Sequence, residues 1–212
     1  MKIKIPTKVK DFWEYYKWFV IVPVLIVIII VCFVSTYIEN TRPVSLAVAL
    51  VNTDEVAVPM RAFQIDYPQE VELDEDLPVR VLYDLTHPSV INEQTAADMS
   101  MVAKVQKLQS MMLNQMVDVM IGTDWVLRDY ERSDVFYDFR DIYPEEYLEK
   151  HKDELCYIPD STGTPIPIGI YLENNEYLGK FHEDAIPVAA IPLNCTHPEE
   201  AKRFILWLTG DI

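Results

Sequence analysis

Apolar and charged positions divide the chain near its beginning. From Trp18 to Ile38 no residue carries a charge, and the centre of that run reads VIVPVLIVIIIVCFV. As a helix rising ~1.5 Å per residue, the segment would be about 31 Å long, close to the thickness of a bilayer's hydrocarbon core. Pro23 lies inside it, and prolines are tolerated in spanning helices. A cleavable signal has an apolar region of roughly 7–15 residues followed by a small-residue site. This run is longer, contains no A-x-A pattern, and places Ile29 and Val31 ahead of Cys32 where a lipidated cysteine would follow small residues. The pattern predicts an uncleaved transmembrane anchor over 18–38, preceded by a 1–17 N-terminal segment.

After the linker ENTRP (39–43) the apolar positions come in short runs. VSLAVALV (Val44 to Val51) predicts a first strand that starts at once, which would set the domain against the membrane without a stalk. Residues 52–78 are irregular, interrupted by Pro59, Pro68 and Pro78, and MRAFQIDY fits either a strand or a helical turn. VRVLYDL (Val79 to Leu85) predicts a second strand. Met101, Val105, Leu108 and Met112 then recur at steps of four, three and four, one face of a helix over about Thr95 to Gln115. Thr95, with Asp98 three residues on, reads as its cap.

The stretch MMLNQMVDVMIGTDWV (Met111 to Val126) follows as a helix end and a third strand, Val117 to Ile121. Asp118 precedes the strand's apolar core, a sharp turn falls at Gly122, and Thr123 or Asp124 caps a helix beginning at Trp125. Downstream, a helix is expected from about Pro144, then two strand fragments around a turn at Asp160 to Gly163, then a strand over Ile186 to Asn194. Residues 173–184 read as loop or a single helical turn. The chain closes on an amphipathic helix, with Thr196, Pro198 and Glu199 as a capping box. Ala201, Phe204, Ile205 and Leu208 form its inner face, and Gly210 is its stop. Strands alternating with helices indicate an α/β domain over 44–212 with a mainly parallel sheet flanked by helices.

Charge adds an orientation. Residues 1–17 hold five lysines against Asp11 and Glu14, a net of +3, and the remaining 13 basic and 32 acidic residues give −19. The positive-inside rule places the N-terminus in the cytoplasm and the acidic domain outside the cell membrane, single-pass. Phe12, Trp13, Tyr15, Tyr16 and Trp18 form an aromatic belt at the inner interface. So acidic a domain lacks the cations needed to displace counterions from phosphates, which argues against nucleic acid as a partner. Of the three cysteines, Cys32 falls in the membrane run, and Cys156 and Cys195 could pair or remain two buried thiols. Asn194-Cys195-Thr196 is a glycosylation sequon, relevant only on a eukaryotic secretory route.

Two segments carry a family resemblance. MVDVMIGTDWVLRDYERSDVFYDFRDIYPEEYL and IPVAAIPLNCTHPEEAKRFILWLTG resemble the extracellular solute-binding proteins of bacterial ABC importers, with IPIGIYL similar to that family's crossover strand. The resemblance implies a periplasmic-binding-protein-like fold and a transport-associated role. Family members have two lobes, however, and only Glu173 to Ala185 joins IPIGIYL to IPVAAIPLN, too little chain for a lobe with its own core. The resemblance therefore implies a membrane-anchored, truncated single-lobe relative.

Ligands of open α/β sheets bind beyond the C-terminal ends of the parallel strands. That rule selects Asp84, Thr86 and His87 after the second strand, and Thr123, Asp124 and Trp125 after the third. Trp125 could stack on a ligand while Asp124 accepts hydrogen bonds; the competing roles are a helix cap for Asp124 and core packing for Trp125. Six of the eight methionines lie between Met99 and Met120. They could bind Cu(I) or form an adaptable contact face, but their helical spacing favours packing. Asp74 to Asp76 lack the alternating ligands of a calcium loop, His87, His151, His182 and His197 lack metal-ligand spacing, and no nucleophile motif is present. The expectation is a non-catalytic binding module without cofactor or metal. It would contact the bilayer through 18–38 and a membrane-associated protein through its domain, with a small solute as a candidate ligand. Alternatives are a solute receptor that borrows its second lobe, and a cell-surface hydrolase with a site assembled only in three dimensions.

Overall fold

The computed structural model describes residues 7–53, 59–74, 77–88, 98–130, 135–160, 162–173, 175–178 and 185–212. The chain divides at Pro43 into two units, Met1–Pro43 and Val44–Ile212. The first is a helix, α1 (Thr7–Thr41), which runs through Pro23 without interruption. Its stretch Trp18–Tyr37 is long and apolar enough to cross a membrane, as a transmembrane or signal-anchor segment would be. From Trp18 to Val34 its side chains are apolar and, Ile21 apart, exposed around the whole circumference, as in helices solvated by lipid.

The second unit is built on a six-stranded sheet. β1 (Leu46–Val51) is buried at every position. It pairs in parallel with β2 (Val79–Leu85) on one side and β3 (Val119–Thr123) on the other. Beyond β3 the direction changes. β6 (Pro187–Ala190) is antiparallel to β3, β5 (Pro165–Tyr171) to β6, and β4 (Leu155–Pro159) to β5. The order is β2-β1-β3-β6-β5-β4. The sheet is therefore mixed, and the expectation of a mainly parallel sheet holds only for its first three strands. The physical reason lies in the connections. A parallel return needs a crossover of a dozen or more residues, usually helical. β4 and β5 are instead joined by a tight turn in which Asp160 Oδ1 accepts from the Thr162 and Thr164 amides.

Alternating strand residues feed two cores, as period-two geometry requires. On one face Leu46, Val48, Leu50, Val119, Ile121 and Ile170 meet the helical side chains Phe63, Tyr67, Phe139, Phe204 and Ile205. Phe63 comes from a π-helical turn, Ala62–Asp66, that continues into α2 (Tyr67–Glu70). MRAFQIDY is thus helical, and Pro68 follows the π-helical turn inside the same continuous helical run. The closing helix, here α7 (Pro198–Leu208), lays Ala201, Phe204, Ile205 and Leu208 inward, and Gly210 ends it at φ +73°. The Phe63 and Tyr67 rings meet Phe204 edge-on at 5.0 and 4.8 Å.

On the other face Ala49, Val51, Met120, Val188 and Ile168 are covered by α3 (Met99–Leu113) and α4 (Asp124–Asp129). Leu108 and Met112 of α3 are buried and Met101 and Val105 half-buried, so the methionine-rich helix packs as its periodicity indicates. Asp98 is its N-cap, accepting from the Ser100 and Met101 amides, whereas Thr95 lies outside the described residues. α5 (Phe139–Ile142) and α6 (Glu145–Lys150) precede β4, with Pro144 as the N-cap of α6. Cys156 and Cys195 are free thiols, the first buried and the second half-buried.

Candidate functional site

β1, β2, β3 and β5 all end at the same edge of the sheet, so their C-terminal residues form one border. Asn52 follows β1 in a left-handed conformation, φ +60°, which asparagine tolerates better than most residues. Its amide locks the loop after β2 in both directions. Asn52 Nδ2 donates to the His87 carbonyl and the His87 amide donates to Asn52 Oδ1, each at 2.9 Å. His87 is thereby buried, with its ring 6.0 Å from Trp125 and 5.8 Å from Tyr130. Its Nδ1 lies 3.2 Å from the Pro88 carbonyl and 3.6 Å from Asp129.

The expected residues therefore do not form one cluster. His87 and Trp125 come together, and Thr86 is half-buried beside them in the chain. Asp84, also left-handed at φ +57°, is ion-paired with Lys104 of α3. That bond holds its carboxyl below the usual carboxylate value. Asp124 is 3.4 Å from both Arg128 Nε and the Tyr171 hydroxyl, at the end of β5. Burial pushes the Tyr171 phenol up to about 12, with the neighbouring Cys156 adding to it. Thr123 occupies the N-cap position of α4, but its hydroxyl makes no cap bond and is buried without a partner among the described residues. Gly122 belongs to β3 and makes no turn, so β3 runs through Thr123 and the turn expected at Gly122 falls after it.

Sequence periodicity missed Asn52, Tyr130 and Tyr171, because each acquires its role from a strand end that only sheet order brings near. Tyr130, following α4, also borders an open cavity of about 420 Å³ lined by Gln109, Met112, Leu113, Val135, Leu193 and Asn194. Its hydroxyl is buried without a hydrogen-bond partner among the described residues, and burial raises its pKa, with Asp129 adding to the shift. Asn194, the sequon residue, donates from Nδ2 to the Met112 carbonyl at 2.6 Å and so closes the end of α3.

At the opposite edge Asp118 is the other residue whose part was not foreseen. Its carboxylate accepts from the Ala47 amide at 2.8 Å, the Thr196 amide at 2.9 Å and the His197 amide at 3.0 Å. The Thr196 hydroxyl and His197 Nδ1 also contact it, each at 3.0 Å. His197, not Thr196, is the N-cap residue of α7, and the expected capping box is replaced by this carboxylate from just ahead of β3.

Comparison of the chain with family models, with curated proteins and with solved structures returned no match.

Proposed function

We propose that the chain is a membrane-anchored, extracytoplasmic, non-catalytic binding module that engages a membrane-associated protein. Its docking surface runs from Trp125 across Tyr130 to the open cavity. The cavity carries the reading. Its volume of about 420 Å³ lies within the roughly 300–1,000 Å³ typical of binding sites, and its walls combine apolar side chains with the amides of Gln109 and Asn194. Two large apolar side chains stand at its rim in solvent, Leu113 at 81% and Leu193 at 45% exposure. Tyr130 joins the cavity to the His87–Trp125 pair, and tryptophan is enriched at binding hot spots.

The non-catalytic part of the reading is supported at the strand ends, where Asp84 and Asp124 are engaged by Lys104 and Arg128. The apolar α1 and the charge contrast across it support the anchor and its orientation. The resemblance to solute-binding proteins accords with a single α/β lobe turned to protein recognition. The cavity's volume also favours a second reading, a receptor for a small apolar solute.

A photoreactive residue in place of Leu113, in the full-length chain in intact cells, separates the two. The expected result is one discrete adduct with a membrane protein that weakens when Trp125→Ala is added. Purely intramolecular adducts would remove the protein-docking reading. An adduct abolished by an apolar solute that also raises the Tm would favour the receptor.

A further inference from the structure

On the sheet face opposite the docking cavity, α6, the Tyr143-Pro144 step ahead of it and α7 border another open cavity, of about 460 Å³, a volume typical of binding sites. Its floor is aromatic. Tyr143 and Tyr147 are buried and stack at 4.5 Å. The Tyr143 hydroxyl donates to the Lys202 carbonyl at 3.2 Å, which ties the start of α6 to α7. Leu206 lies one turn beyond Lys202, so one face of α7 offers the cavity both an apolar side chain and a cation.

The charged groups lining this cavity fall into two sets. Lys150 and Asp211 pair with each other. Lys202 and Glu146 pair neither with each other nor with any other opposite charge among the described residues. The Lys202 ammonium lies 5.9 Å from the centre of the Tyr143 ring, and Glu146 is exposed on α6. In a chain of net charge −16, a half-buried lysine beside a cavity and without a carboxylate is a ready acceptor of an anion. Glu146, on the other helix, is equally ready for a cation.

We propose that this cavity binds a small zwitterion with an apolar body, of which an aliphatic α-amino acid is the simplest. Its carboxylate meets Lys202, its ammonium meets Glu146, and its side chain lies against Leu206 and Pro144. A plain anion would gain Lys202 but be repelled by Glu146, and a plain amine the reverse; a molecule carrying both charges makes a charge-assisted hydrogen bond at each end. Its apolar body removes water from Leu206, Pro144 and the tyrosine edges. The site goes beyond the docking reading and shares no residue with that surface.

The test uses the full-length chain in phosphatidylcholine nanodiscs, empty nanodiscs as the blank, and probes built on one carbon skeleton. These are L-leucine, 4-methylpentanoate, which lacks the ammonium, and 3-methylbutylamine, which lacks the carboxylate. In ligand-observed NMR titrations L-leucine should bind with a Kd of about 1 mM or tighter, and each truncated probe about tenfold more weakly. Lys202→Gln should weaken L-leucine about tenfold without weakening 3-methylbutylamine. Glu146→Gln should weaken L-leucine without weakening 4-methylpentanoate. Failure of L-leucine to saturate by about 10 mM overturns the proposal. So does a truncated probe that binds as tightly as L-leucine, or an L-leucine affinity unchanged in either variant. The three-probe comparison is made on the parent chain, so it decides the matter even where a variant fails to fold.

Discussion

Asp118 shows how much one side chain can hold. Only 1% of its surface is exposed, and its two oxygens accept backbone N–H groups from β1 and from the start of α7. An ionised carboxylate is suited to this because it only accepts, and amides facing it from several directions need no alternative partner. Removing it leaves those amides buried without acceptors, at a cost of about 1–3 kcal/mol for an unsatisfied group. Asp118→Ala should therefore destabilise the domain by about 3 kcal/mol or more, measured by denaturant unfolding of the full-length chain in detergent. A loss within about 0.5 kcal/mol would show that water replaces the carboxylate and that the contacts carry little. The sequence marked Asp118 as a charge beside an apolar strand. It could not show that Ala47 and His197, far away in the chain, converge on it.

At the scale of elements, glycine separates β5 from β3. A Cβ on Gly169 would stand 2.7 Å from the Ala189 carbonyl oxygen and 2.9 Å from Val188 Cγ1, both on β6. The backbone of β6 cannot yield without breaking its pairing with β3. Gly169→Ala should cost about 1–3 kcal/mol, the usual penalty of overpacking. Gly122 differs: its added Cβ would meet nothing nearer than Val51 Cβ at 3.4 Å, and its backbone is that of a strand. Gly122→Ala should cost about 1 kcal/mol or less, so paired thermal melts of the two variants test the strand assignment directly. A larger loss at Gly122 than at Gly169 would mean that β3 ends where the sequence pattern first placed its turn.

For the whole molecule the governing feature is the contrast between a helix apolar on every side and a domain with its own two cores. Lysines flanking a spanning helix are retained on the cytoplasmic side, which is why the five lysines of residues 1–17, a net of +3, predict a cytoplasmic N-terminus and an external domain. Thr162 is exposed in the β4–β5 turn and suits a test. In intact cells, Thr162→Cys should react with a membrane-impermeant maleimide beyond the background of the parent chain. Reaction only after permeabilisation would reverse the orientation.

The elements that depend on local periodicity were legible in the chain itself. The apolar run within α1, the bounds of β2, the inner face of α7 and its glycine stop follow from the spacing of apolar residues and from backbone preferences that act within a few positions, although α1 itself extends beyond the run at both ends, to Thr7 and Thr41. Strand direction was not legible, because VMIGT and PVAA bury equally well in a parallel or an antiparallel neighbour. Nor were the contacts between distant residues. The Asn52–His87 lock and the Tyr130 bridge to the cavity at the candidate site, and the Asp118 carboxylate at the opposite edge, all join residues separated by loops or whole elements. Such hydrogen bonds have no period in the sequence. They exist because sheet order brings particular strand ends together, and that order is settled by the packing of both faces at once.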